Sequence, residues 1–210
     1  DVTLALSPHA RSTVVKSFGD ETLFAAGIVP NVETTDGVFG VAVDIGSTTL
    51  AAALVDLATG GVAGTTSRVN PQVRFGADVI SRIHFAQEHA DGNAQLHAVV
   101  TEAIGAMISD LAGQHGIAPE RVVAVACAGN ATMTHAAVGA DITSLGQAPY
   151  EGLFTHERRA RARGLGWPVH ADAVAWFLPM VGHHVGGDTA AAVLACGIDR
   201  AEGWHLLIDL

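Results

Sequence analysis

The sequence predicts an α/β fold: a mixed sheet, made of a three-stranded antiparallel meander extended by parallel strands, with helices packed on it. Three observations carry this. Residues 38–44, 49–56 and 62–70 are β-branched or small-residue runs joined by short hinges, which forces antiparallel neighbours. A later run, "RVVAVACAGN", is continuously apolar, as a strand buried on both faces is. Between them lies a long helical pattern, the kind of crossover that returns the chain for parallel pairing.

In chain order, residues 1–36 hold one weak strand-like run (12–16) and the turn-rich "IVPNVETTDG". We read them as the tail of a preceding domain plus a linker, and 37–210 as one lobe, cut at its C-terminus. After the meander, whose second turn is "LATGG", a helix is expected from near Asp78. Over 96–111 the apolar residues Leu96, Val99, Val100, Ala103, Ile104, Met107, Ile108 and Leu111 repeat at helical spacing. Asn93 is placed to cap that helix, and Gly113 and Gly116 to end it. Then come the strand 122–128, a short helix at 132–138, a strand at 173–178 within "ADAVAWFLP", a small-residue helix in "GGDTAAAVLACG", and a closing strand "WHLLID".

Composition narrows the function. Hydrophobic residues make up 49% of the chain and charged residues 15%, enough for a sizeable core and too apolar for disorder. A net charge of −10 argues against nucleic acid or an anionic membrane surface as partner. The local cluster Arg158, Arg159, Arg161 and Arg163 reads as a solvated loop or helix face. No apolar run reaches the roughly 18–20 residues of a membrane span, and no signal-peptide layout opens the chain. The two cysteines, Cys127 and Cys196, form neither a disulfide framework nor a zinc motif, so a reducing cytoplasm is expected.

The hinges hold the chemistry. In "VAVDIGSTT" a buried strand delivers Asp44, Gly46 permits a tight turn, and Ser47, Thr48 and Thr49 follow with hydroxyls and backbone N–H groups. Such a nest suits phosphate, and the carboxylate suits hydrated Mg²⁺; the plainer role is a polar hairpin. "HLLIDL" likewise runs a strand into Asp209. In "VGGDT", Gly186 and Gly187 allow close backbone approach, and Asp188 can orient or deprotonate a water or hydroxyl. Asp188 and Thr189 would equally serve as plain helix caps.

"DIGSTT", "GGDT" and "LLID" resemble, in that order, the phosphate-1, connect-1 and opening phosphate-2 motifs of the acetate and sugar kinase, heat-shock chaperone and actin superfamily, whose lobes are ribonuclease-H-like. "GVAVDIGSTTLAAALVDLATG", "NPQVRFGADVISRI", "CAGNATMTH", "SLGQAPYEGLF" and "VGGDTAAAVLACG" are similar to the ATP-binding region of reductive activators of corrinoid proteins. Those are multidomain iron–sulfur proteins, and the resemblance runs from about residue 37 to residue 210. It implies slow, ATP-driven re-reduction of cob(II)alamin on a corrinoid methyl-carrier protein. It implies ATP and Mg²⁺ here, held by Asp44, Gly46, Ser47, Thr48, Thr49, Gly186, Gly187, Thr189 and Asp209, with Asp44 and Asp209 meeting the metal through its waters. Asp188 takes the catalytic role. The [2Fe–2S] cluster is expected only in an absent upstream domain, and a homodimer is compatible with the sequence. A small-molecule kinase of the same superfamily and a non-catalytic docking module are the competing readings. A P-loop enzyme is set aside: G-x-x-x-x-G-K-[ST] is missing and the only lysine is Lys16.

Other polar residues have two readings each. Asn130 and Thr132 follow the end of a buried strand, where ligands are met in such sheets, or else close a turn and cap a helix. Arg74, Asp78 and Arg82 fall on or near one helix face, where Asp78 and Arg82 read as an i, i+4 pair. His135 reads as a satisfied core or surface histidine, and His183-His184 as loop residues.

Overall fold

The computed structural model describes residues 37–208. The expected tail and linker at 1–36 and the residue Asp209 lie outside them.

Three strands open the lobe: β1 (Phe39–Ile45), β2 (Thr49–Asp56) and β3 (Val62–Val69). β1 pairs antiparallel with β2, and β2 with β3, so the meander forms as its short hinges dictate. Two helices follow, α1 (Val79–Glu88) and α2 (Gly92–Gln114). They return the chain to β4 (Val122–Gly129), which lies parallel to β1. The short helix α3 (Ala131–Ala137) leads through a long loop to β5 (Arg158–Arg161) and β6 (Val174–Phe177). β6 runs parallel to β4, and helix α4 (Gly187–Cys196) comes next. The sheet order is β3-β2-β1-β4-β6-β5.

Core packing follows the helical spacing. All eight apolar residues of the 96–111 stripe are buried along α2. There Val100, Ile104 and Ile108 share one buried cluster with Val41, Val43 and Ile45 of β1 and Leu50, Ala52 and Leu54 of β2. Alternation along β1 turns Ala42 and Asp44 to the other face. Ile104 is fully buried at this seam. Ile104→Ala is therefore expected to lower unfolding stability by about 2–5 kcal/mol in urea titration, and a loss under ~1 kcal/mol would contradict the packing.

Several expectations need correction. Arg158–Arg161 is an edge strand, not a loop or helix face, and it pairs antiparallel with β6 from Arg158↔Phe177 to Arg161↔Val174. Its arginines are held by neighbours: Arg158 lies over the Phe154 ring, Arg159 bonds Glu157 and Arg161 bonds Asp172. Charged side chains on an edge also discourage pairing with another chain. The closing strand is not formed over 204–208, where no neighbouring strand supplies a ladder. Asn93 does not cap α2; Asp91 takes that position without a side-chain bond. Asn93 instead donates to Asp141 Oδ1 and accepts from the Ile142 N–H. Finally, α2 itself is long and apolar enough to cross a membrane, with mean hydropathy 1.2, although its stripe is spent on the sheet. Thr101, Glu102 and Asp110 interrupt it, so the sequence shows no unbroken apolar run of that length.

Candidate active site at the carboxyl edge of the sheet

β1 and β4 are parallel, so both deliver their C-terminal ends to one edge. Asp44 stands between Ala51 of β2 and Ala128 of β4, and Ile45 pairs with Gly129. Small neighbours leave its half-buried carboxylate lateral room. Gly46 then turns the chain: a Cβ there would sit 2.4 Å from the Thr49 carbonyl oxygen. Ser47 is half-buried, and Thr48 and Thr49 are exposed.

Three successive carbonyls of this hinge are held from behind. The Asn70 side-chain amide donates to Gly46 O at 2.8 Å, Arg82 Nη2 donates to Ser47 O, and the Asn70 backbone N–H donates to Thr48 O at 2.8 Å. Asn70, Gln72 and Arg82 are all fully buried. Arg82 also donates through Nε to Gly76 O at 3.0 Å and through Nη1 to Gln72 Oε1 at 3.2 Å. Gln72 reaches on to Leu96 O at 2.9 Å, tying the cluster to α2. Burial lowers the Arg82 pKa, opposed by the Asp78 charge; the guanidinium remains a cation. The expected Asp78–Arg82 i, i+4 pair is thus replaced. Asp78 caps α1 through Ser81, which holds its carboxyl below the usual range, while Arg82 turns inward.

The second glycine hinge reaches the same edge. A Cβ on Gly186 would lie 2.4 Å from both Asn130 Cα and Gly129 O, so the start of α4 presses on the end of β4. Gly187 packs against Leu178 just beyond β6. Gly186 is the N-cap, which removes Asp188 and Thr189 from the plain cap role. Asp188 sits in the first turn, half-buried, and its Oδ1 accepts from the Thr189 N–H at 2.8 Å. Asn130 is a cap, accepting from the Met133 N–H at 2.9 Å, whereas Thr132 is buried and caps nothing. The two hinges are therefore neighbours through Gly129 and Asn130. Among the described residues, no three His, Cys, Asp or Glu side chains gather into a metal cluster.

A third loop is pinned beside these hinges. His135, fully buried in α3, has Nδ1 2.7 Å from Ala131 O and Nε2 3.0 Å from the Leu153 N–H. A carbonyl can only accept, so Nδ1 carries the proton and Nε2 accepts. The Gly152 N–H donates to His183 Nδ1 at 3.0 Å, joining the loop to the segment before Gly186. His183 and His184 lie in a loop. Burial lowers the His135 pKa from its ordinary 6.5, and the His183 and Arg158 charges lower it further, against the Ala131 bond. The neutral form is the folded one. Its stabilisation is complete above about pH 6.5 and is lost as pH falls below that toward the depressed folded value. Thermal melting should show this as a slope that sets in as pH falls below about 6.5 and that His135→Gln flattens; parallel slopes in both proteins would contradict it.

A mixed sheet in this order, with helices against it and its polar hinges at one edge, defines a ribonuclease-H-like lobe. The chain belongs to the family described as the RACo middle region, which matches residues 39–201. It is 29% identical over 182 residues to the corrinoid activation enzyme RamQ of Eubacterium limosum, covering 87% of this chain and 30% of that protein. Among solved structures it is similar to a reductive activator for corrinoid, iron-sulfur protein. The TM-score is 0.77 and the identity 34%, over 81% of this chain and 27% of the other. The chain thus spans under a third of each relative's length.

Proposed function

We propose that this chain supplies the phosphate-1 and connect-1 elements of a Mg·ATP site in a corrinoid activator of its relatives' length. The observation that carries this is the pairing of two glycine cradles, at Gly46 and Gly186, on one sheet edge beside Asp44 and Asp188. A side chain at either glycine would strike backbone, Thr49 O in the first hinge and Asn130 Cα and Gly129 O in the second, so glycine is what lets both hinges close onto this edge. Hydroxyls at Ser47, Thr48 and Thr49 and carboxylate oxygens at Asp44 and Asp188 form a hard-oxygen donor set. That suits Mg²⁺, which keeps most of its waters and takes few protein ligands. Bound there, Mg·ATP would supply phosphoryl-transfer free energy. Asp44 would hold the metal's waters with Asp209 as a second carboxylate, and Thr189 with Gly186 and Gly187 would line the phosphate side. Asp188 would orient the attacking water.

The reading extends to the partner, a corrinoid methyl-carrier protein whose cob(II)alamin is to be re-reduced; the relatives' names, which speak of corrinoid activation and of a reductive activator, support the corrinoid part of it. A [2Fe–2S] cluster does not fit this chain. It needs four thiolates or their equivalents, and here Cys127 is buried with its thiol pushed far above the thiolate range. The test is Mg·ATP-dependent loss of cob(II)alamin absorbance in a polypeptide of the relatives' length mixed with a corrinoid carrier and an electron donor. Phosphate appearing on a small acceptor instead would favour the kinase reading, and carrier binding without nucleotide the docking reading. This chain alone should bind ATP weakly, because affinity in a two-walled cleft needs both walls. Micromolar binding by calorimetry would contradict that.

A further inference from the structure

We propose that Arg82 is the positioning residue of the hinge between β1 and β2, setting the direction of its anion-facing N–H groups from behind. The inference rests on the reading of that hinge as a phosphate site. In a planar trans peptide the carbonyl and the following N–H point opposite ways. Pulling Gly46 O inward with Asn70 therefore turns the Ser47 N–H outward. Pulling Ser47 O inward with Arg82 does the same for the Thr48 N–H. A row of outward N–H groups is the concave nest that takes an oxyanion.

The second argument is charge. Arg82 is fully buried, and the described residues include no salt bridge to it. Its partners are carbonyl oxygens, an amide oxygen and the Met133 sulfur at 3.1 Å, while Asp78 acts on it only through space. Burying a cation without an anion is costly, and a stability role alone would be served as well by an apolar side chain. A guanidinium directly behind the Ser47 peptide instead polarises that peptide and raises the pull of its N–H side on an anion. Arg82 never touches the ligand in this account; it acts through the peptide of Ser47 and Thr48.

The test is a titration of the ¹⁵N-labelled chain with inorganic tripolyphosphate, reading the Ser47 and Thr48 amide shifts. Both amides should move in the wild type. In Arg82→Lys the Thr48 response should collapse and the apparent Kd rise about tenfold, the scale of one charge-assisted hydrogen bond, while Ser47 still responds. In Asn70→Ser the pattern should invert: Ser47 loses its response and Thr48 keeps it, because Arg82 still holds Ser47 O. If Arg82→Lys does not fold, the Asn70→Ser arm decides. Equal loss at both amides in either variant, or a wild-type response in Arg82→Lys, would reduce Arg82 to a structural residue and overturn the proposal. A wild type silent at both amides would instead overturn the phosphate reading itself, and the proposal with it.

Discussion

Asp44→Asn, in a polypeptide of the relatives' length, is expected to abolish Mg·ATP-dependent corrinoid activation, with a rate loss of about 10²–10³-fold, while leaving the fold intact. The substitution is nearly isosteric, so the packing between Ala51 and Ala128 is kept. What changes is charge: an amide oxygen is a weak ligand for metal-bound water, and the loss of one preorganised electrostatic contact costs that much in rate. Without metal, the variant should be as stable as the wild type or slightly more so. Two carboxylates ~4 Å apart at an effective dielectric of ~20 repel by about 4 kcal/mol, which is an upper bound on the relief if Asp44 and Asp188 face each other. Steady-state rates with parallel melting curves check this. Retained ATP dependence in a folded Asp44→Asn protein would remove Asp44 from the site.

The second large effect is steric. Gly186→Ala should destabilise the lobe by about 1–3 kcal/mol and lower activity at least tenfold, because its methyl would lie 2.4 Å from Asn130 Cα and Gly129 O, both backbone atoms. Neither can yield without shifting the end of β4 or the start of α4, and that movement separates the two hinges. Gly186 has φ −80°, so the penalty is contact and not backbone strain. Gly182→Ala is the matched control: it lies in the same connection with no atom near its Cβ position, and its effect should stay within about ±0.5 kcal/mol. Equal effects of the two substitutions, read by urea unfolding, would contradict the close packing.

The meander and the parallel extension were legible because short hinges and a long periodic helix leave few topologies open. β5 was not, since "RRAR" has no apolar alternation of its own; its pairing comes from the β6 edge beside it. At the site, the hinges themselves were readable from "DIGSTT" and "GGDT". What supports them was hidden. Arg82 looked like the partner of Asp78, yet it occupies one stripe with Val79, Ile83 and Ala86, at i, i+3, i+4 and i+7 spacing. An arginine on an apolar stripe has to find internal acceptors, and that was the available signal. Asn70 and Gln72 carried a weaker one: a polar pair around a proline directly after a strand reads as a turn, and only the tertiary contacts to Gly46 and Leu96 make it a brace.

The central claim is that the hinge after β1 and the first turn of α4 serve one Mg·phosphate cluster. Paramagnetic broadening tests it most directly, since it detects even weak occupancy: the ¹⁵N-labelled chain is titrated with Mn·ATP and its amide peaks are followed. The account predicts that Ser47, Thr48, Asp188 and Thr189 broaden together at the same Mn·ATP concentration, ahead of distant amides such as those of β3. Broadening at Ser47 and Thr48 with Asp188 and Thr189 left sharp, or the reverse, would contradict a shared site.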